Sequence, residues 1–424
     1  MDVNFAIGFG VICYLVVMLV ARSKRPELPV WSIMSFAMFI VVISGIVRLD
    51  EIDSLINLDV ILFLIGMFSI VSILDYSGVI DLMAMWFVTR FKTRYKILLA
   101  LSLVYGLLSA YTVNDALTLM GTPVALSISR AIGVDLKVLL LLIAFSITIG
   151  SVMSPVGNPQ NMLISSSSGM PAPFIAFTVK LAIPTIINLL VTTAVLIKLY
   201  RVSNAKILIP LVPTERIKDR REAILGVTLF TVTIMLFVLN DLFETYGLPH
   251  VGKRGLIPFV TASLGYILSK KPRRILEGVG WGTIVFFISM FITMNGIWRS
   301  GVLTPLLNLF LAEKSVGIDG IFRIAGTSII VSQFLSNVPF TSLYIEYLRN
   351  LGYTGSDVNA WITLAMSSTI AGNFTLLGAA SNIILLEVVE QRGKKSLTFI
   401  EFFKAGSIVT ITNLFVYIPF IILF

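Results

Sequence analysis

Two apolar segments of this sequence are interrupted by polar residues that could bind a small charged solute. The first interruption runs from Ser154 to Asn161 and has the sequence SPVGNPQN. Its prolines lack a backbone donor and clash with the preceding turn, so a helix must open there. The cut ends of an opened helix expose free carbonyl and amide groups, which can hold a cation and an anion respectively. Asn158 and Asn161 add side chains that both accept and donate hydrogen bonds.

A second interruption, around Thr375, Gly378 and Asn382, has the same features. The glycine of each interruption suits a positive φ or the close approach of backbone to a ligand. Polar turns also divide two further apolar stretches, residues 97–129 and 321–348, and we expect the tip of each turn to meet the opened helix in its own half of the chain. The predicted solute-binding residues are Asn114, Ser154, Gly157, Asn158, Asn161, Ser336, Asn337, Thr375, Gly378 and Asn382.

A lone carboxylate, Asp115, lies in the first of these turns, whereas Val338 occupies the matching position in the second. A carboxylate in a membrane-embedded turn tends to take up a proton or to hold a cation. We therefore predict that Asp115, with Thr112 nearby, handles a coupling proton or cation. Capping of the helix predicted over 116–130 is an alternative role for Asp115, and the two roles can coexist.

The elements that position these residues must lie in a membrane. Of the 424 residues, 57% are apolar and only 13% are charged, about half the charged share of soluble proteins. The single Cys13 excludes a secreted disulfide scaffold, and a metal site of His and Cys is disfavoured because His250 is the only other soft ligand. The net charge of +9 lies in short runs between apolar segments. Such runs are typical of topology signals and not of nucleic-acid binding.

Ten segments are apolar and long enough to predict the transmembrane helices of an all-α, polytopic membrane protein. They are residues 3–21, 29–47, 59–75, 136–153, 174–199, 223–243, 254–269, 280–298, 358–374 and 399–424. The two divided stretches have arms of about 12 to 15 residues, too short to cross about 30 Å of hydrocarbon. We predict that both are re-entrant hairpins, which enter and leave on one face. A kinked pair of full spans is the alternative.

The basic residues indicate the orientation. If the chain starts outside, 23 of its 32 basic residues fall in inner loops, as the positive-inside rule requires. Arg22, Lys24 and Arg25 belong to the first of these loops. We predict a multi-pass protein of the plasma membrane with both termini on the extracytoplasmic side.

The chain also repeats itself. Asn114 recurs as Asn337 after 223 residues, and the motif 154–161 falls on 375–382 after 221 residues. We predict two repeats, residues 1–200 and 223–424, joined by a basic cytoplasmic linker, residues 201–222. Five crossings per repeat oblige the second copy to insert with the opposite orientation. Inverted repeats with interrupted helices are typical of secondary transporters, whose site lies near the membrane midplane. A duplicated bundle without a transport role is the alternative.

At these motifs the chain resembles the ion transporter superfamily, which includes arsenite efflux permeases, citrate and other di- and tricarboxylate carriers, and sodium/proton antiporters. The resemblance rests on Asn114-Asp115-Ala116, SPVGNPQN, SNVP at 336–339 and GNFTLLGAASN at 372–382, and the length suits the arsenite permease branch. It implies an elevator-type fold, in which hairpins and opened helices slide against a scaffold. The Ser-Asn-Thr signatures that form sodium sites in dicarboxylate members are incomplete here. These incomplete signatures favour proton-coupled or uncoupled transport over sodium coupling.

These features predict a secondary active transporter of a small anion or oxyanion, similar to arsenite and antimonite or to a di- or tricarboxylate. No cluster of Arg or Lys lies in the motifs, which favours a neutral or weakly charged solute such as arsenous acid, although helix ends can hold carboxylates unaided. A sodium/proton antiporter is the alternative within the superfamily, and a channel is a further one. An intramembrane enzyme is disfavoured because the sequence has no HExxH, no paired Asp on facing spans and no Ser/His arrangement.

No cofactor, resident metal or nucleic-acid partner is predicted beyond the coupling ion, and a homodimer is left open. The sequence has no GxxxxGK[ST] loop, so an ATP-driven pump would need a separate subunit. A soluble ATPase could dock on the linker 201–222, which is equally suited to fixing the topology.

Overall fold

The computed structural model describes residues 3–25, 28–112, 114–207, 217–391 and 397–423, and within these ranges the chain is helical, without a β-strand. The first ten helices are α1 (Val3–Lys24), α2 (Val30–Ile43), α3 (Ile52–Leu55), α4 (Leu58–Ser77), α5 (Val79–Val88), α6 (Arg94–Ser109), α7 (Asn114–Ile132), α8 (Leu136–Gly150), α9 (Pro159–Ser167) and α10 (Pro173–Leu199). The next ten are α11 (Arg220–Thr245), α12 (Leu256–Leu268), α13 (Pro272–Glu277), α14 (Trp281–Arg299), α15 (Thr304–Phe310), α16 (Gly317–Leu335), α17 (Asn337–Asn350), α18 (Val358–Ile370), α19 (Ala380–Gln391) and α20 (Phe399–Leu423).

In the described ranges, 8 helices are long and apolar enough to cross a membrane. They are α1, α4, α8 with its 3-10 extension, α10, α11, α14, α16 and α20. This confirms the predicted all-α, polytopic membrane protein. The lengths differ from expectation, because α2 has 14 residues and α12 and α18 have 13 each, whereas α7 and α16, expected as short hairpin arms, have 19 each.

The helices fall into two series of the same order, α1–α10 and α11–α20. Each series has a long first helix, a short second one, a central span, a hairpin, a broken helix and a long last helix. Packing between the series is reciprocal: α2 packs on α14, and α12 packs on α4. The two last helices, α10 and α20, pack on each other. Two copies of one unit that are related by a twofold axis would pack on each other in this reciprocal way.

Glycines let the helices near the site cross at backbone contact. A methyl group on Gly150, at the end of α8, would lie 1.9 Å from the Gly106 carbonyl oxygen of α6. One on Gly66 of α4 would lie 2.3 Å from the Pro258 carbonyl carbon of α12. Small residues at crossings are a common means of close helix packing in membranes. The first crossing holds the first hairpin against the first broken helix.

The linker predicted at 201–222 lies partly outside the described residues, since 208–216 are not among them. An isolated bridge between Thr93 and Lys206 holds its start against the first hairpin. At its end, Asp219 accepts a hydrogen bond from Lys271 Nζ at 2.7 Å and caps α11, which begins at Arg220, inside the predicted linker. The Lys271 ammonium lowers the pKa of the Asp219 carboxyl. Docking of a soluble ATPase on this linker stays a prediction.

Candidate functional site

The first broken helix opens where its prolines require. After α8 ends, a 3-10 turn covers Ser151–Met153, and an irregular segment then leads to α9. Asn158 is the N-cap of α9, because its Oδ1 accepts from the backbone N–H of Asn161 at 2.8 Å. Pro159 takes the first helical position, where a missing N–H removes no helical hydrogen bond.

The Asn161 side chain fills the opening. It is fully buried, and its Nδ2 donates to the carbonyl oxygens of Ser151, Ser154 and Val152 at 3.0, 3.2 and 3.4 Å. An amide can thus satisfy carbonyl groups that the end of a helix leaves without a helical partner. Gly157 packs on the same turn, since a methyl group there would lie 2.5 Å from the Ser151 carbonyl oxygen. Gly157 therefore lets its own backbone lie close to the backbone of the turn at Ser151.

The second broken helix is built in the same way. A 3-10 turn, Ala371–Asn373, follows α18, and a second short turn, Leu376–Gly378, precedes α19. Asn382 Nδ2 donates to the carbonyl oxygens of Gly372 and Thr375 at 2.7 and 3.3 Å. Asn382 therefore repeats the arrangement of the asparagine in the first half.

The first hairpin bonds to the broken helix of its own half through its tip. Asn114, the first residue of α7, donates to Ser151 Oγ at 3.3 Å and accepts from Ser109 Oγ at 2.8 Å. In the second hairpin the link comes from the end of α16. Gln333 donates to the Ala371 carbonyl at 3.0 Å and accepts from the Thr375 hydroxyl at 2.7 Å.

The second tip is tighter than the first. Ser336 alone joins α16 to α17, and it has a φ of 70° and a ψ of 160°. Asn337 begins α17 and rests on the second break, since a methyl group on Gly372 would lie 3.0 Å from Asn337 Nδ2. The two tips thus place an asparagine at matching positions, each against a broken helix.

The two residues predicted for coupling have different settings. Thr112 is buried, and its hydroxyl donates to the Leu108 carbonyl of α6 at 2.7 Å. Asp115 is the second residue of α7, but its side chain lies outside the described part of the structure. Thr112 is therefore bonded within its own hairpin, and the coupling role of Asp115 stays a prediction.

A threonine joins the two broken helices. Thr369 of α18 accepts from Asn158 Nδ2 and donates to Asn161 Oδ1, both at 3.2 Å. Thr148 of α8 occupies the matching position, 221 residues earlier, and its methyl group would lie 3.5 Å from a methyl group on Gly372. Asn114, Asn161, Asn337 and Asn382 consequently belong to one contiguous cluster, as the inverted-repeat hypothesis requires.

A cavity of about 340 Å³, called the site cavity below, opens beside this cluster. Among the predicted residues, Asn114, Asn158, Ser336 and Asn337 line it, together with Thr148 and Thr369. Residues of α1, α2 and the start of α14 also line it: Leu15, Arg22, Trp31, Met34, Phe286 and Phe287. The remaining predicted residues are not among its lining residues and form the framework of the breaks: Ser154, Gly157, Asn161, Thr375, Gly378 and Asn382.

Arg22 carries the one charged side chain among the described residues that line the site cavity. It is 7% exposed, and its Nε donates to the Leu28 carbonyl at 3.0 Å. The basic run at the end of α1 predicted only a topology role for Arg22, and no local pattern distinguishes it from Lys24 or Arg25. Thr148 and Thr369 were also missed, although the spacing of the repeats could have identified them.

The second half of the cluster contains buried polar atoms without a hydrogen-bond partner among the described residues. They are Asn337 Oδ1, Asn382 Oδ1 and both amide atoms of Asn373. In the first half the matching oxygens are paired, Asn114 Oδ1 with Ser109 and Asn161 Oδ1 with Thr369. An unpaired buried polar group costs about 1–3 kcal/mol. The second half is therefore the one whose polar atoms gain most from contact with a solute or an ion.

Comparison with known proteins agrees with this architecture. The sequence model of a family described as "Citrate transporter" matches residues 15–366. The chain belongs to this citrate transporter family. Its predicted membership of the ion transporter superfamily is thereby confirmed, whereas assignment to the arsenite branch stays a prediction.

Relatives of this citrate transporter family member are named as transporters or membrane proteins. An uncharacterized transporter of Mycobacterium tuberculosis H37Rv is 28% identical over 376 residues, which cover 85% of each chain. Inner membrane protein YbiR of Escherichia coli K12 is 25% identical over 335 residues, 78% of this chain and 80% of that protein. Among solved structures, the Alcanivorax borkumensis YdaH transporter has a TM-score of 0.54 at 14% identity, covering 88% of this chain and 86% of that one. This likeness shows a shared fold.

Proposed function

We propose that this member of the citrate transporter family is a secondary transporter that carries a small anion across the plasma membrane. The observation that supports this most is the convergence of four helix N-termini on one cavity. Asn114, Pro159 and Asn337 begin α7, α9 and α17 and line the site cavity, as does Ser381, the second residue of α19. Helix N-termini carry partial positive charge and free N–H groups, which favour carboxylates and oxyanions.

The side chains of the site cavity support the same class of solute. The side-chain amides of Asn114 and Asn337 can donate to an anion, and the Arg22 guanidinium adds a full positive charge to the cavity wall. Charge interactions are stronger in a cavity of low dielectric constant than in water. The volume of about 340 Å³ lies within the range of small-ligand sites, about 300–1,000 Å³. A di- or tricarboxylate or an arsenite-like oxyanion is the proposed cargo.

The position of the site cavity supports an inward-open state. It reaches Arg22 at the end of α1, Trp31 at the start of α2 and Gly282 at the start of α14. In the predicted orientation these helix ends face the cytoplasm. An elevator-type motion of the hairpins and broken helices against α1, α2 and α14 would carry the anion to the other side. Asp115 is the proposed coupling residue, with a proton as the coupling ion.

The test is uptake of radiolabelled citrate, succinate and arsenite by proteoliposomes of the purified protein, under an imposed proton gradient or an imposed sodium gradient. We expect saturable uptake of at least one of these anions, accelerated by the proton gradient, and none in empty liposomes. Gly10→Ala is the matched control, because a methyl group there meets nothing within 4 Å. Flux that never saturates would identify a channel, and sodium-dependent proton flux without anion movement would identify an antiporter. Either result would refute the proposal.

A further inference from the structure

A second cavity of about 120 Å³ lies apart from the site cavity. Polar residues contribute to its wall, and they come from the segment before α4, from the end of α9, from α14 and from α17. They are Asn57, Ser167, Asn295, Ser342 and Glu346.

Three helices line both cavities, and they do so with successive turns. The pairs of lining residues, site cavity first, are Gln160 and Leu163 on α9, Phe287 and Phe291 on α14, and Pro339 and Ser342 on α17. Steps of three or four residues correspond to about 4.5–6 Å along a helix axis. On each helix the site cavity is nearer the N-terminal end and the second cavity nearer the C-terminal end. The two cavities therefore lie on opposite sides of a layer about one helical turn thick.

Large apolar side chains fill this layer. Met162, Phe287 and Phe340 are at most 1% exposed, and Leu343 is 2% exposed. The rings of Phe287 and Phe291 are 6.1 Å apart between centroids. An apolar constriction of this kind blocks hydrated ions. The layer thus separates the two cavities in the present conformation.

The second cavity has the polar wall of a solvated passage. Internal cavities that stay dry are apolar. Here Asn295 Oδ1 is buried and has no hydrogen-bond partner in the described part of the chain. Asn57 Nδ2 donates to the hydroxyls of Ser166 and Ser167, each at 3.2 Å. Irregular backbone and polar side chains at membrane depth are tolerated where they line a water-filled space.

We propose that the second cavity is the opposite mouth of the anion pathway, and that the layer formed by α9, α14 and α17 is the gate between this mouth and the site. This inference rests on the proposed transport function and adds the route by which the anion reaches the other side. In the predicted orientation the second mouth is extracytoplasmic. The Arg349 guanidinium donates to the Ser167 carbonyl and ties α17 to the end of α9, so these two helices move together against α14 when the mouth opens.

The single Cys13 makes cysteine accessibility a direct test. In a Cys13→Ser background, Ser342→Cys places a thiol in the second cavity and Thr283→Cys places one in the site cavity. A negatively charged, membrane-impermeant methanethiosulfonate is applied to right-side-out and to inside-out vesicles. We expect Ser342→Cys to be modified from one face and Thr283→Cys from the opposite face. Phe415→Cys, at a position 76% exposed on the outside of α20, should resist modification because the charged reagent does not enter hydrocarbon.

The outcomes separate this inference from the proposed function. Modification of Thr283→Cys alone would overturn the second mouth and leave the transporter proposal standing. Modification of both positions from the same face would also overturn it. If neither position reacts, the site cavity is not a route from either side, and both proposals are wrong. Asn295→Cys repeats the test from α14, and gel filtration of each variant identifies any that misfold.

Discussion

Replacement of Asn161 by alanine tests whether a buried amide stabilises the opened helix. Its Nδ2 donates three hydrogen bonds, to the carbonyls of Ser151, Val152 and Ser154. Its Oδ1 also accepts from the Thr369 hydroxyl, so alanine loses four hydrogen bonds. At about 0.5–1.5 kcal/mol net for each lost bond, the free energy of unfolding should fall by about 2–6 kcal/mol. Asn382 is the matched control, because its Nδ2 donates two such bonds. Its replacement by alanine should cost about 1–3 kcal/mol.

Thermal unfolding of the purified variants in one detergent, at one scan rate, measures the order of stability, because melting temperatures of proteins that unfold irreversibly depend on scan rate. We expect wild type to melt highest, Asn382→Ala next and Asn161→Ala lowest. Asn161→Asp has nearly the same size, but its carboxylate has no donor and sets a negative charge against carbonyl oxygens, so above the pKa of that carboxyl it should destabilise at least as much as alanine. An Asn161→Asp protein that melts like wild type, or Asn161→Ala no less stable than Asn382→Ala, would refute the reasoning.

Four further substitutions test the charge in the site cavity, the proposed coupling residue, the crossing of α6 and α8, and the ion pair at the end of the linker. Arg22→Gln should raise KM for an anion about ten- to hundredfold, because hydrogen bonds to charged groups contribute about 1.5–3 kcal/mol. Arg22→Lys keeps the positive charge and should retain much of the affinity. An unchanged KM in uptake assays would indicate a neutral solute. Asp115→Asn should leave the protein folded and flatten the pH dependence of uptake, and wild-type pH dependence would exclude the coupling role. Gly150→Ala should lower the free energy of unfolding by about 1–3 kcal/mol or more, because its methyl group would meet the Gly106 carbonyl oxygen. In the same melting assay Gly10→Ala should not destabilise the protein. Equal losses of stability in the two variants would contradict the close crossing of α6 and α8. Because Lys271 lowers the pKa of Asp219 in the folded protein, the Asp219 carboxylate stabilises the fold above its unfolded pKa, and this stabilisation is lost as pH falls through the lower folded value. The difference in melting temperature between wild type and Asp219→Asn should therefore be present at neutral pH and disappear in strong acid; a difference that does not change with pH would exclude the ion pair as its cause.

Much of the fold was predictable because its determinants are local in sequence. Long apolar segments indicate membrane helices wherever they occur, and prolines at 155 and 159 open a helix whatever surrounds it. The lengths of α2, α12 and α16 were less predictable. An apolar segment does not by itself show where its helix ends, because loops that pack against other helices can also be apolar.

The candidate site was predictable in its parts and less so in their roles. The asparagines at 114 and 337 line the site cavity, whereas those at 161 and 382 turn their amides onto carbonyl groups of the breaks. Asn158 does both, because it lines the site cavity and its Nδ2 donates to the Ser151 carbonyl at 3.3 Å. Residue type could not separate these two uses, since an amide can bind either a solute or backbone. The choice depends on which carbonyls the opened helix presents to each side chain.

By itself, the sequence determined that the chain is a membrane protein, where its helices break, and that the two breaks correspond across a repeat. Only the tertiary structure decided that Arg22, from a segment far from every polar motif, lines the same cavity as Asn114 and Asn337. It also decided that successive turns of α9, α14 and α17 face two different cavities. Helix formation and helix rupture follow from a few neighbouring residues, whereas the surroundings of a side chain depend on helices that are hundreds of residues away and meet it only when the two halves of the chain pack together.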